Sequence, residues 1–223
     1  MQANTVTRVL VWSRWLRLSH WLLTLCTIGL IATGWLMSID TGLSHLVSDL
    51  HYLLGGLLLP ALVLRLYLLF FGKGTDLLSD CEPNMHRLLQ SWQVIRFYLT
   101  LGKAPLPKWY SHNPLWGPIY LILFFVLVLV AISVLLLLND VVVIGGISML
   151  DLHQLSYIII LTFSILHIPA VFAHDLSGKG GDISGMVNGY RQFELTEAEQ
   201  HKNTTEQSVP LNNLIKTLKN NNK

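Results

Sequence analysis

Four stretches of about twenty apolar residues, at 18–37, 50–71, 115–138 and 152–173, constrain this 223-residue chain more than any other feature. About twenty such residues cross a hydrocarbon core as a helix, and the helix satisfies its own backbone hydrogen bonds in lipid. The sequence therefore predicts an all-α membrane protein, a four-helix transmembrane bundle. Soluble domains carry about 25% charged residues; this chain carries 13%. Spans and connections together leave no room for a separate catalytic domain. Three arginines precede the first span, which is too long for a signal-peptide core and is expected to remain as an anchor.

Of the fifteen Lys and Arg residues, fourteen lie in the N-terminal arm, the connection 72–113 and the tail. The connections 38–49 and 139–151 hold none, and Arg65 alone lies inside a span. Positive charge stays on the cytoplasmic side, so both termini and the middle connection are expected there, with the two short acidic loops in the opposite compartment. In a bacterium this is an inner-membrane protein whose acidic loops face the periplasm. Basic residues scattered over loops argue against a nucleic-acid partner. Cys26 and Cys81 form neither metal-ligand spacing nor a disulfide framework.

Within the middle connection, Met85 to Leu99 repeats apolar residues at three and four positions around Arg87 and Arg96. That pattern predicts an interfacial amphipathic helix between spans two and three. A four-helix unit over 1–193 is followed by a polar tail, 194–223. The tryptophans Trp12, Trp15, Trp21, Trp35, Trp109 and Trp116 cluster near span ends, as an interfacial belt requires.

Ionisable residues inside spans are expensive and mark function, and four of the nine histidines stand at span positions. His153 and His167 are fourteen residues apart, about 21 Å along a helix and nearly on one face. His51 matches the depth of His153, and His20 that of His167. Each level then offers two imidazoles from two helices, the axial set of a six-coordinate haem. The expected cofactors are two haem b groups, with metal ligands His20, His51, His153 and His167. The same interval places Gly34 and Arg65. Gly34, with Gly55 and Gly56, is read either as room for a flat macrocycle or as small-residue helix packing. Arg65 is read either as a propionate partner or as a side chain snorkelling to headgroups. His45, His86, His112 and His201 are expected on the surface, and His174 is a rival ligand or a helix cap.

Arg14-Trp-Leu-Arg-Leu-Ser-His20-Trp, His51 with Gly55-Gly56, the His153/His167 pair and Ile183-Ser-Gly-Met-Val-Asn-Gly-Tyr-Arg191 resemble the membrane cytochrome b subunit of nickel-iron hydrogenases. The gamma subunit of formate dehydrogenase and bacterial cytochrome b561 proteins share the pattern. The resemblance covers about residues 8 to 193. It implies a two-haem subunit, with His51 paired to His153 and His20 to His167, that anchors a periplasmic redox subunit of a hydrogenase, dehydrogenase or reductase. It also implies exchange of electrons with quinone or quinol at the cytoplasmic-side haem, where Arg65 and His174 are the candidate quinone residues. The competing readings are a stand-alone cytochrome b561 oxidising a small reductant such as superoxide, and a transporter or scaffold whose histidines conduct protons.

Overall fold

The computed structural model describes residues 6–39, 44–177 and 181–194. Four long helices dominate: α1 (Arg14–Ser38), α2 (Ser44–Phe71), α4 (Trp116–Leu137) and α5 (Met149–Leu176). All four are long and apolar enough to cross a membrane. Their starts are set by local chemistry. Ser13 accepts from Leu16 N at 3.0 Å to cap α1, and Ser148 accepts from Asp151 N at 3.2 Å to cap α5. α2 and α5 continue past Pro60 and Pro169 as single elements.

α1 packs along α2 and α4 along α5, while the two pairs meet far less extensively, through α2 and α4. What joins them is a mid-depth cluster of Leu23, Cys26, Leu58, Ala61, Leu62, Val126, Leu127 and Ile160, drawn from every long helix. Ile160 is seven residues from both His153 and His167, about 10 Å along the axis from each. The apolar layer thus separates two histidine levels. Outward faces carry bare aliphatic and aromatic side chains, such as Leu25, Val63, Phe125 and Ile165. Such a surface suits lipid and would drive association in water.

One end of the bundle is closed by a polar cap. Strand β1 (Val6–Leu10) pairs antiparallel with β4 (Tyr190–Glu194), in a register running from Val6↔Glu194 to Leu10↔Tyr190. The chain before α1 is thereby tied to the chain after the short helix α6 (Asp182–Asn188). Arg191 donates to the carbonyls of Trp109, Tyr110 and Ser111, fastening β4 to the middle connection. The segment expected to be helical forms α3 (Met85–Leu99), capped by Asn84, which accepts from Arg87 N at 2.8 Å. At the other end β2 (Val143–Ile144) and β3 (Ile147–Ser148) form a hairpin. Its turn residues Gly145 and Gly146 have φ of 58° and 84°, the backbone that a tight two-residue hairpin requires.

The β1–β4 pairing has no counterpart in the pattern of apolar residues, and two tryptophans expected in the interfacial belt lie elsewhere. Trp12 and Trp116 are buried, at 4% and 7% exposure, because the cap folds over the bundle end. The tail expectations beyond residue 194, including His201, lie outside the described residues.

Candidate functional site

At the level away from the cap, α2 presents His51 and α5 presents His153, with ring centroids 6.3 Å apart and planes inclined by 66°. α1 completes the level with Thr33 and Gly34. A Cβ added at Gly34 would lie 3.5 Å from His51 Cε1, so the glycine sits against the imidazole itself. A Cβ at Gly55 or Gly56 would meet nothing within 4 Å, leaving open space beside α2.

Thr33, which the sequence reading passed over, orients His51. Its hydroxyl donates to the Gly29 carbonyl at 2.8 Å and lies 2.8 Å from His51 Nδ1. A hydroxyl has one proton to give, so with that proton committed to Gly29 it accepts from Nδ1–H. His51 Nε2 then carries the free lone pair. His153 Nδ1 is buried without a hydrogen-bond partner among the described residues.

At the capped end, His20 and His167 line a cleft of about 250 Å³ between the helix pairs, with Arg65, Trp116, Tyr120 and His174 also on its wall. Phe163 stacks on His167 at 5.1 Å, and Trp116 and Tyr120 meet it edge-on at 5.4 and 5.8 Å. Nδ1 of both His20 and His167 is buried and has no hydrogen-bond partner among the described residues.

Arg65 is buried, at 5% exposure, and donates to the Asp76 carbonyl at 3.1 Å while its guanidinium lies 5.0 Å from the Phe124 ring. The snorkelling alternative fails, because the side chain is held inside the bundle. His174 has both nitrogens engaged: Nε2 lies 2.9 Å from the Tyr98 hydroxyl and Nδ1 3.1 Å from Asp182 Oδ2. Trp116 Nε1 donates to Tyr98 at 2.8 Å and Arg191 pairs with Asp182 at 3.0 Å, completing the network. Burial pushes the Tyr98 phenol up to about 12, keeping it a hydrogen-bond donor at neutral pH.

His45 and His86 are exposed, as expected. His112 is not: it is 7% exposed, and its Nδ1 lies 2.5 Å from Asp80 Oδ2. Ser111 donates to the same oxygen, and Arg87 stands 3.6 Å from the other. Burial alone would raise the Asp80 carboxyl, but the bonds from His112 and Ser111 and the Arg87 charge hold it below the ordinary value. Burial pushes His112 down more than Asp80 lifts it. The resting pair is therefore a carboxylate and a neutral imidazole. The correction has a physical reason: the cap folds the 3₁₀ turn Leu78–Asp80 onto the segment before α4, a contact across thirty-two residues that no local pattern announces.

These residues fit a haem. A metal between two imidazoles, with bonds of about 2.0–2.1 Å and about 1.1 Å more from each nitrogen to its ring centre, sets the centroids about 6 Å apart, and the His51/His153 pair stands at 6.3 Å. Among the described residues no group of three or more His, Cys, Asp or Glu could hold a bare ion. Two imidazoles per level suit a group that brings its own equatorial ligands.

A family described as prokaryotic cytochrome b561 matches residues 11–189. Probable Ni/Fe-hydrogenase B-type cytochrome subunits of Azotobacter chroococcum mcd 1 and Azotobacter vinelandii are each 27% identical over 220 residues, covering 84% of this chain and 90% of theirs. No solved structure matches the chain significantly.

Proposed function

Since the chain belongs to the prokaryotic cytochrome b561 family and is thus a multi-pass membrane cytochrome of electron transfer, we propose that it is the two-haem subunit linking a periplasmic hydrogenase-type partner to the quinone pool. The carrying observation is the two pairs of imidazoles on separate levels, His51 and His153 standing with ring centres 6.3 Å apart, close enough that both would hold one group. His51 and His153 would hold one b haem; His20 and His167 would hold the other. When bound, haem iron supplies one-electron reduction and oxidation.

The protein's own residues do the rest. Thr33 fixes the His51 tautomer so that Nε2 faces its ligand role, as partners of ligating histidines commonly do. Phe163, Trp116 and Tyr120 hold the His167 ring and keep water from it. Arg65 offers a buried cation for an anionic propionate at that level. His174, with both nitrogens committed, stays outside the ligand set and forms the polar floor of the cleft beside Tyr98. A quinone would enter this cleft, where Arg65, His174 and Asp182 line the same opening. β1, β4 and the basic connection share that end, and the positive-inside rule then puts it in the cytoplasm. The short acidic loops are left to receive the periplasmic partner. The names of the Azotobacter relatives favour a complex subunit over a stand-alone oxidase of small reductants.

The test is a pyridine haemochrome assay on the purified chain, expected to return two b haems. His51→Ala and His153→Ala should remove the same one, and His20→Ala and His167→Ala the other. One haem per chain, or loss of a haem in His174→Ala with His20→Ala intact, would overturn the assignment.

A further inference from the structure

The cleft at the capped end has a neighbour. An outer pocket of about 300 Å³ opens among Asp80, Arg87, His86, Lys108, the segment 109–112 and Pro114. Trp109, Ser111 and His112 line both spaces, so the wall between them is one residue thick. His112 is the titratable member of that wall. Its ring is wedged against Trp12 at 4.8 Å and Tyr120 at 6.0 Å. Nδ1 is bound to Asp80, which is 19% exposed on the outer side. Nε2 makes no hydrogen bond among the described residues and is not sealed from space.

We propose that Asp80 and His112 form a proton-transfer station in this wall, carrying the protons of quinone chemistry between the inner cleft and the water of the outer pocket. The proposal rests on the quinone reading of the cleft. In the outward direction Nε2 accepts a proton from a hydroquinone hydroxyl, breaking O–H and forming N–H. The Nδ1 proton passes to the Asp80 carboxylate, and Asp80 releases it to water. The ring resets as Nε2–H gives its proton to the outer-pocket water, which His112 also lines, while Nδ1 takes one back from that water through Asp80, so one proton leaves the cleft per cycle. Reduction of quinone runs the same steps in reverse, and the station itself changes no oxidation state.

The charges facing His112 suit the task. Asp80 from the 3₁₀ turn stabilises the imidazolium that forms in transit, whereas Arg87 of α3 and Arg65 of α2 oppose it, so the proton does not rest there. Tyr120 of α4 and Trp12 present apolar ring faces. The depressed titration of both partners agrees with a pair that returns to carboxylate and neutral ring after each transfer. General acid–base groups work within hydrogen-bond reach, which the 2.5 Å contact satisfies.

The experiment uses the haem-loaded protein in liposomes, with Asp80→Asn and His112→Gln variants. Quinol-driven haem reduction is followed by absorbance and proton release by a pH-indicating dye. Both variants should keep both haems and their dithionite reduction, while dye-reported proton release slows at least tenfold. Release within twofold of wild type in both variants overturns the station but leaves the quinone reading standing. A wild-type protein whose haems no quinol reduces overturns both. Should the variants fail to accumulate, time-resolved infrared spectra of the wild type with ring-labelled histidine decide. A transient imidazolium during turnover is the expected result, and its absence defeats the proposal.

Discussion

Replacing Thr33 by valine keeps the shape of the side chain and deletes one oxygen, so it isolates the hydroxyl that lies 2.8 Å from His51 Nδ1. The bond is neutral and sheltered, and such bonds contribute about 1 kcal/mol net. Spent wholly on holding the ring in its ligating orientation, that is about a fivefold loss of haem affinity at one site, while losses of about 10–100-fold follow when such partners of metal ligands are removed. The electronic effect has a definite sign. A ring that donates from Nδ1 is a stronger donor at Nε2 and favours the oxidised metal. Its loss should raise the midpoint potential, by about 40 mV if the full 1 kcal/mol distinguishes the two oxidation states. The assay is an optical redox titration of the purified protein, in which wild type should give two components. Thr33→Val should shift the component that His51→Ala abolishes and leave the other in place. Two potentials within about 10 mV of wild type, with haem content unchanged, would refute the claim that Thr33 governs His51.

Further outcomes follow from the same geometry. Gly34→Ala should be tolerated, because its Cβ would meet His51 Cε1 at an ordinary 3.5 Å, whereas Gly34→Leu should displace the ring and empty that site in a haemochrome assay. Arg191→Ala should leave Asp182 without its 3.0 Å partner and free three carbonyls, costing about 3–5 kcal/mol and lowering the melting temperature measured in detergent. Thermal stability should also fall as pH drops below about 6.5. His112 titrates lower in the folded protein than in the unfolded chain, so unfolding takes up a proton in that window, and Asp80 adds the same trend below the ordinary carboxylate range. His112→Gln should flatten the melting curve between pH 7 and 5, and an unchanged slope would contradict the buried neutral ring.

The four spans and the two histidine levels were legible because helix periodicity needs only residue numbers: fourteen residues return to one face at a different depth. Thr33 was not, although a signal existed. α1 and α2 form an antiparallel hairpin, so residues facing across it have numbers that add to about the same total. Gly29 meets Leu54, and Thr33 and Gly34 meet His51, on that rule. A threonine in an apolar span reads as an indifferent residue until its partner across the hairpin is considered. Asp80, His112 and the β1–β4 pairing had no such signal. They are contacts between irregular segments, brought together only after the helices have placed the ends of those segments at one surface. The same cause misled the reading of Trp12 and Trp116, whose position near span ends is equally that of a belt residue and of a residue beneath a cap.

The pairing of β1 with β4 also sets a clock on biogenesis. Val6 waits for Glu194, and at synthesis rates of about 5–20 residues per second that interval is roughly ten to forty seconds. Through all of it the arm has no strand to join, α6 has not folded over the bundle end, and the helix pairs meet without their clasp. The nascent chain thus passes through a period in which the space between the helix pairs lies open at this end, and that end closes only when β4 arrives. A chain ended at Gly189 should accordingly still assemble its four long helices but leave its N-terminal arm open to protease, making β4 a latch that closes only after all four spans have been made.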